Sequence, residues 1–313
     1  TYATIGKPAQ RVSQAAFLRL LSRGTAYQLE APTLWDVDFR TAVAQAELED
    51  RETAGAYHRI AFARADGHEP IYIETTRPEL IPACVALVAH PDDERYKPLF
   101  GTDVITPLFG VKVPVRAHTL ADPAKGSGIA MICTFGDITD VTWWRELSLP
   151  VRAIIQYDGT LKPITFGAPG WESVDAARAQ GYYDQLVKLS AKQAKNKIVE
   201  HLKDSGDMIG DPRPITHPVK FYEKGDRPLE IVTSRQWFIK TIDFRDALLS
   251  RGRELQWHPE YMRHRYENWV NGLTGDWCVS RQRFFGVPFP VWYPVSADGV
   301  VQYGQPLVPT EAQ

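Results

Sequence analysis

Apolar residues Ala16, Phe17, Leu20 and Leu21 recur at helical spacing within 13–22, and Gly24 follows as a stop, which predicts a first helix. Leu34-Trp35-Asp36-Val37-Asp38-Phe39 alternates as a strand does, while the alanine-rich, acidic run 42–52 reads as a polar connection. Residues 57–63 and 70–75 flank Ala65-Asp66-Gly67-His68, whose Asp-Gly pair signals a hairpin, so a β-rich domain is expected to begin near residue 51. Short apolar segments at 85–89, 103–107, 112–116, 129–134 and 151–155, parted by proline or glycine turns, predict a compact sheet or barrel. The period then changes. Val174 and Ala177, then Ala194, Ile198, Val199 and Leu202, fall on helical faces, with Gly206 behind the second run, so helices should cover the sheet. Gly210-Asp211-Pro212-Arg213-Pro214 is the expected linker, since proline cannot donate to a ladder. The expected division is therefore 1–50, 51–214 and 215–313.

With 44% hydrophobic and 24% charged residues in 313, the chain can bury a sizeable core and is long enough for two domains. A formal charge of -2 leaves any nucleic-acid contact to local patches. Cys84, Cys133 and Cys278 are scattered without a CxxC, which argues against a disulfide framework or a thiolate zinc site and suits the cytoplasm. No apolar run approaches a membrane span. The chain opens at Thr1 without a methionine and runs through loop-like sequence to Gln313, as expected of a piece of something longer.

Two segments offer chemistry. In Glu74-Thr75-Thr76-Arg77-Pro78-Glu79, the hydroxyls and the guanidinium fork could grip a sugar or phosphate, although helix capping is the commoner use of such threonines. An arginine at this turn is expected to be exposed. In the second, Gly126-Ser127-Gly128 precedes an apolar run and then Cys133-Thr134-Phe135-Gly136-Asp137-Ile138-Thr139-Asp140. The glycines would let backbone approach a ligand, and two carboxylates three apart could hold an ammonium group; a hairpin turn and an Asp N-cap explain the same residues. A third segment, Gly275 to Pro288, reads by itself as an aromatic-rich, arginine-bearing loop.

Taken in order, Trp35 to Glu52, Ile73 to Tyr96, Met131 to Trp144 and Asp276 to Tyr293 resemble the class I aminoacyl-tRNA synthetases of the valine, isoleucine and leucine group, the valine type most closely. Glu79 favours that type, because the other two usually carry tryptophan there. The resemblance implies an α/β chain: a β-barrel-like editing domain (CP1) with covering helices, inserted between parts of a doubly wound nucleotide-binding domain. It implies no metal and no cofactor for editing. ATP belongs to the synthetic site of a full-length enzyme, whose HIGH and KMSKS motifs do not occur in this sequence. Common bacterial relatives have lysine and threonine where this chain has Met131 and Cys133, and the MICTFGD form looks like an archaeal-type branch.

The function so implied is hydrolysis of threonine wrongly esterified to tRNA(Val), the partners being the acceptor end and its threonyl-adenosine. A hydrophobic synthetic pocket rejects a near-isostere with a hydroxyl only weakly, so a second, polar site is needed. By resemblance Asp140 pairs with the substrate ammonium. Asp137 is the candidate acceptor for the threonine hydroxyl, Thr75, Thr76 and Arg77 hold the terminal adenosine and ester, and Gly126, Ser127, Gly128, Met131, Cys133 and Thr134 line the pocket. Lys188, Lys192, Lys195, Lys197 and Lys203 form a basic stretch, either a solvated helix face or a phosphate contact. Two other readings stay open: an isoleucine-type domain clearing valyl-tRNA(Ile), disfavoured by Glu79 and Asp137, and a tRNA-binding module without hydrolysis.

Overall fold

The computed structural model describes residues 3–310, so the chain ends at Thr1 and Gln313 lie outside the described residues. The elements run α1 (Lys7–Ser22), β1 (Ala26–Asp36), β2 (Thr41–Ala42), β3 (Leu48–Arg64), β4 (Ile71–Thr75), β5 (Cys84–Ala89), β6 (Asp103–Ile105), β7 (Lys112–Ala117) and β8 (Ile129–Cys133). They continue with α2 (Ile138–Glu146), α3 (Ala176–Tyr183), α4 (Ala191–Ser205), β9 (Arg213–Tyr222), β10 (Glu230–Ile239), α5 (Arg245–Glu254), α6 (Met262–Asn271) and β11 (Trp277–Cys278). The chain divides into two compact units. One comprises residues up to 31, 41–46 and those from 235; the other comprises Pro32–Arg40 and Glu47–Ser234.

The second unit is built on a curled sheet in the order β4-β3-β6-β7-β5-β8, with β9 beside β3. The β5–β7 pair is parallel, whereas β3 pairs antiparallel with β4, β6 and β9. The predicted hairpin is present, His58 to Phe62 lying opposite Thr75 to Ile71. Alternation puts Ile60, Phe62, Ile71 and Ile73 on the buried face. All six residues of β5 are buried, as expected of a strand covered on both faces. Trp143 of α2 packs on Val85, Val88 and Ile132, while α4 buries Ala194, Ile198 and Leu202 along one stripe. Ser190 and Gln193 close a capping box at the start of α4, and Gly206 ends it at φ 80°, where a side chain would be strained.

Three local expectations change. The run 42–52 is not a connection: residues from Leu48 onward belong to β3 and pair along β9 to Tyr57. Its polar character reflects a ribbon held by pairs such as Lys220–Asp50, with no alternating apolar face to reveal it. Pro214 and Pro218 lie within β9, which continues where the prolines predicted an interruption. β9 has β3 as its only strand partner among the described residues and lies at an edge of the sheet, where proline is tolerated. Residues 151–155 form no strand, only a bridge from Ile155 to Leu161. There the Arg152 N–H donates to Thr134 Oγ1 in place of a ladder partner.

The first unit holds a sheet in the order β11-β10-β1-β2, and β1 and β10 carry the chain across to the other unit. Phe17 of α1 packs edge-on against Trp237 and Phe289, with Ala26 beneath. The helix begins at Lys7, earlier than its apolar stripe predicts, with a proline in its first turn. The fold is thus α/β, with a curled sheet and covering helices. Among the described residues no helix is long and apolar enough to cross a membrane.

Candidate functional site

Strand β4 delivers Glu74-Thr75-Thr76 to its end, and Pro78 starts the short 3-10 helix Pro78–Ala83 that leads into β5. Thr75 Oγ1 accepts from the Arg77 N–H at 3.0 Å, a local turn contact. The Thr76 carbonyl accepts from Lys195 Nζ at 2.7 Å. Arg77 is not splayed into solvent. Its Nε donates to Glu79 Oε1 at 2.9 Å, its Nη1 to the Gly136 carbonyl at 3.0 Å, and its Nη2 to Glu230 Oε2 at 2.7 Å. Its side chain is 25% exposed. Burial opposes its charge, but the carboxylates of Glu230 and Glu79 outweigh burial and hold its pKa above the ordinary value.

At the end of β8 the chain turns through Cys133 to Gly136 and enters α2 at Asp137. Asp137 caps that helix, its Oδ1 accepting from the Asp140 N–H at 2.9 Å, and is otherwise exposed. The capping explanation left open by the sequence is therefore correct for this residue, and it leaves the second carboxylate oxygen outside that bond. Asp140 is different. It is 6% exposed, its Oδ2 accepts from the Gly136 N–H at 2.8 Å, and among the described residues it makes no ion pair. Burial, with the neighbouring Asp137 charge, pushes its pKa well above 3.8, against the pull of backbone N–H groups and of Arg77. Gly136 is required by crowding, because a Cβ there would lie 2.6 Å from Asp140 Oδ2.

The remaining predicted residues spread out. Cys133 is buried opposite Cys84, donates its thiol to the Leu80 carbonyl at 3.2 Å, and has its pKa raised chiefly by burial. Thr134 accepts from Arg152 as described, and Met131 is half-buried opposite Leu87. Gly126 and Ser127 line a groove of about 560 Å³ together with Arg59, Tyr72, Glu74, Arg95 and Tyr96. Thr75, Thr76, Arg77 and the two aspartates are not in its lining. Gly128, at φ 82°, packs under Arg95 instead. The structure thus joins Thr75, Arg77, Gly136, Asp137 and Asp140 by direct hydrogen bonds, with Thr76 tied to Lys195 beside them, while the turn at Gly126 packs on Glu74 and, among the described residues, shares no hydrogen bond with them.

Sequence reasoning missed Glu230 and the inward turn of Lys195. Glu230 starts β10, beyond the expected end of the domain at 214, and no local pattern marks it. The sequence puts Lys195 in one basic stretch with the other lysines. Instead its ammonium is half-buried, and burial lowers its pKa, with Glu79 working the other way. Lys188 precedes α4, and Lys197 pairs with Glu200. His58 lies under Thr75, Nδ1 at 3.3 Å from the Thr75 carbonyl, and burial and then the Lys195 charge depress its pKa. Among the described residues no group of His, Cys, Asp or Glu is arranged to hold a metal ion.

Comparison with known proteins sets this geometry in a family. The valine--tRNA ligase of Thermobifida fusca (strain YX) is 63% identical over 317 residues, covering 100% of this chain and 35% of that protein. Those of Leifsonia xyli subsp. xyli and Salinispora tropica are 62% and 60% identical over 315 residues, covering 99% of this chain and 36% of each. The chain spans about a third of the length of these relatives. They are bacterial and give no support to the archaeal-type branch that MICTFGD suggests. A solved structure, the ternary complex of Agrobacterium radiobacter K84 agnB2 LeuRS with tRNA and LeuAMS, is 14% identical with a TM-score of 0.35 over 99% of this chain and 37% of that one, too distant to bear on the site. The family model of the tRNA synthetases class I (I, L, M and V) matches residues 1–308, and the chain belongs to that family.

Proposed function

We propose that this chain is the editing part of a valine-type synthetase and hydrolyses threonine from mischarged tRNA(Val). The observation that carries the reading is Asp140: a buried carboxylate without an ion pair among the described residues, at the head of a helix and linked through Gly136 and Arg77 to the Thr75 turn. Such a group is costly to ionise alone and becomes favourable when a cation enters beside it. The α-ammonium of an esterified amino acid is that cation. Perturbed carboxylates of this kind cluster at functional sites.

With the ammonium held by Asp140, the free oxygen of Asp137 accepts the threonine hydroxyl. The Thr75-Thr76 turn meets the terminal adenosine. Water then adds to the ester carbonyl, the tetrahedral intermediate collapses, and the ribose oxygen leaves with a proton while threonine departs as the acid. Positioning supplies much of the acceleration in such a scheme. The synthetic reaction with ATP would need the rest of a full-length enzyme, of whose length this chain spans about a third.

The test is deacylation of threonyl-, valyl- and isoleucyl-tRNA by this chain. Preference for the threonyl ester is the expected result. A valyl ester of tRNA(Ile) cleaved faster would favour the isoleucine-type reading, and binding without cleavage of any ester would leave a tRNA-binding module.

A further inference from the structure

Asp140 acts only if its carboxylate is held where the ammonium arrives, and the hydrogen bonds around Gly136 trace what holds it. Both backbone poles of Gly136 are engaged: its N–H donates to Asp140 Oδ2 at 2.8 Å and its carbonyl accepts from Arg77 Nη1 at 3.0 Å. The direction of Nη1 is set in turn by the rest of the guanidinium, which is a rigid plane. One edge is fixed by the nearby Glu79 and the other by Glu230, 153 residues away in the chain. Glu79 and Glu230 are both buried, and with the Gly136 carbonyl they hold the guanidinium by three hydrogen bonds in one orientation. Removing either carboxylate frees the plane to rotate.

We propose that Glu230 is a positioning residue for the hydrolysis: by orienting Arg77 it fixes the Gly136 turn, and through that turn the Asp140 carboxylate. The inference rests on the reading of Asp140 as the ammonium partner. It extends the functional unit past 214 to the first residue of β10.

The experiment compares Glu230→Ala, Glu230→Gln and Gly136→Ala in the 313-residue chain. The measurements are steady-state deacylation of threonyl-tRNA and amide hydrogen exchange. Glu230→Ala is expected to lower kcat by about tenfold to a hundredfold, the scale of a small misplacement of a reacting group, with KM within about twofold. Protection of the Gly136 amide should fall at least about tenfold while amides of β5 keep theirs. Glu230→Gln retains an oxygen that accepts from Arg77 and should recover most of kcat. Gly136→Ala crowds Asp140 with the Glu230–Arg77 pair intact and should reproduce the kcat loss, so the link from the turn to Asp140 stays falsifiable if Glu230→Ala fails to fold. Wild-type kcat in Gly136→Ala, or wild-type kcat and Gly136 protection in Glu230→Ala, overturns the proposal. An inert wild-type chain sinks the hydrolytic reading instead, and the exchange data still decide whether Glu230 holds the turn.

Discussion

At Asp140 function and stability pull apart. Its carboxyl titrates well above 3.8 because it is buried, so the folded chain holds that proton to a higher pH than the unfolded chain does. Stability therefore falls as pH rises from the unfolded value to the folded one and stays reduced above it. Asp140→Asn keeps an acceptor for the Gly136 N–H and removes the charge. Its Tm is expected to exceed that of the wild type near neutrality, with the gain vanishing below about pH 4, where the unfolded carboxyl is protonated too. Threonyl-tRNA deacylation should fall at least about a hundredfold in the same protein. A folded Asn variant with the wild-type rate removes Asp140 from the reaction. Asp137 makes the complementary case. Its Ala variant loses a cap worth about 1 kcal/mol and, if its outer oxygen reads the threonine hydroxyl, should also show a smaller threonyl-to-valyl rate ratio. An unchanged ratio with a lowered Tm would leave it as a cap alone.

Among the elements, α4 and β3 show how differently sequence signals survive folding. The stripe Ala194, Ile198, Leu202 and the closing Gly206 locate α4 in advance, because burial and capping act within the helix itself. Its start is equally local: Ser190→Ala breaks the capping box and should cost about 1 kcal/mol, read as a lower denaturation midpoint. The kcat of the folded fraction should stay unchanged, since the Lys195 bond to the Thr76 carbonyl lies beyond the first turn. A fall in kcat without loss of stability would tie the helix start to the site directly. The first half of β3 had no such signal. Its ten-residue pairing with β9 depends on a partner more than 150 residues away, and a two-stranded polar ribbon has no buried face to impose alternation.

For the whole molecule the question is where the editing unit ends. The sequence places its boundary at the prolines near 214, whereas the compact unit runs to Ser234 and takes in β9 and Glu230. A fragment of residues 32–234 should fold with a cooperative melt. One of residues 32–214 removes β9, the partner of the first half of β3, leaves Arg77 without Glu230, and should melt lower and less cooperatively. Circular dichroism of the two fragments checks this, and equal melts would favour the boundary at 214.

The family, the α/β class, the β4 hairpin, the capped α2 and the two aspartates could all be read from residue order, because each depends on neighbours within a few turns of chain or on a long ordered likeness. What the tertiary structure decided is which groups meet. Thr75, Arg77, Gly136 and Asp140 come together by hydrogen bonds, whereas Gly126 and Ser127 line a groove with Glu74 and Arg95. An arginine that looks exposed in its turn becomes the bridge between the neighbouring Glu79 and the distant Glu230. Lys195, one of a row of lysines, is turned inward. Burial and long-range hydrogen bonding depend on chain segments far apart, and no local pattern encodes them.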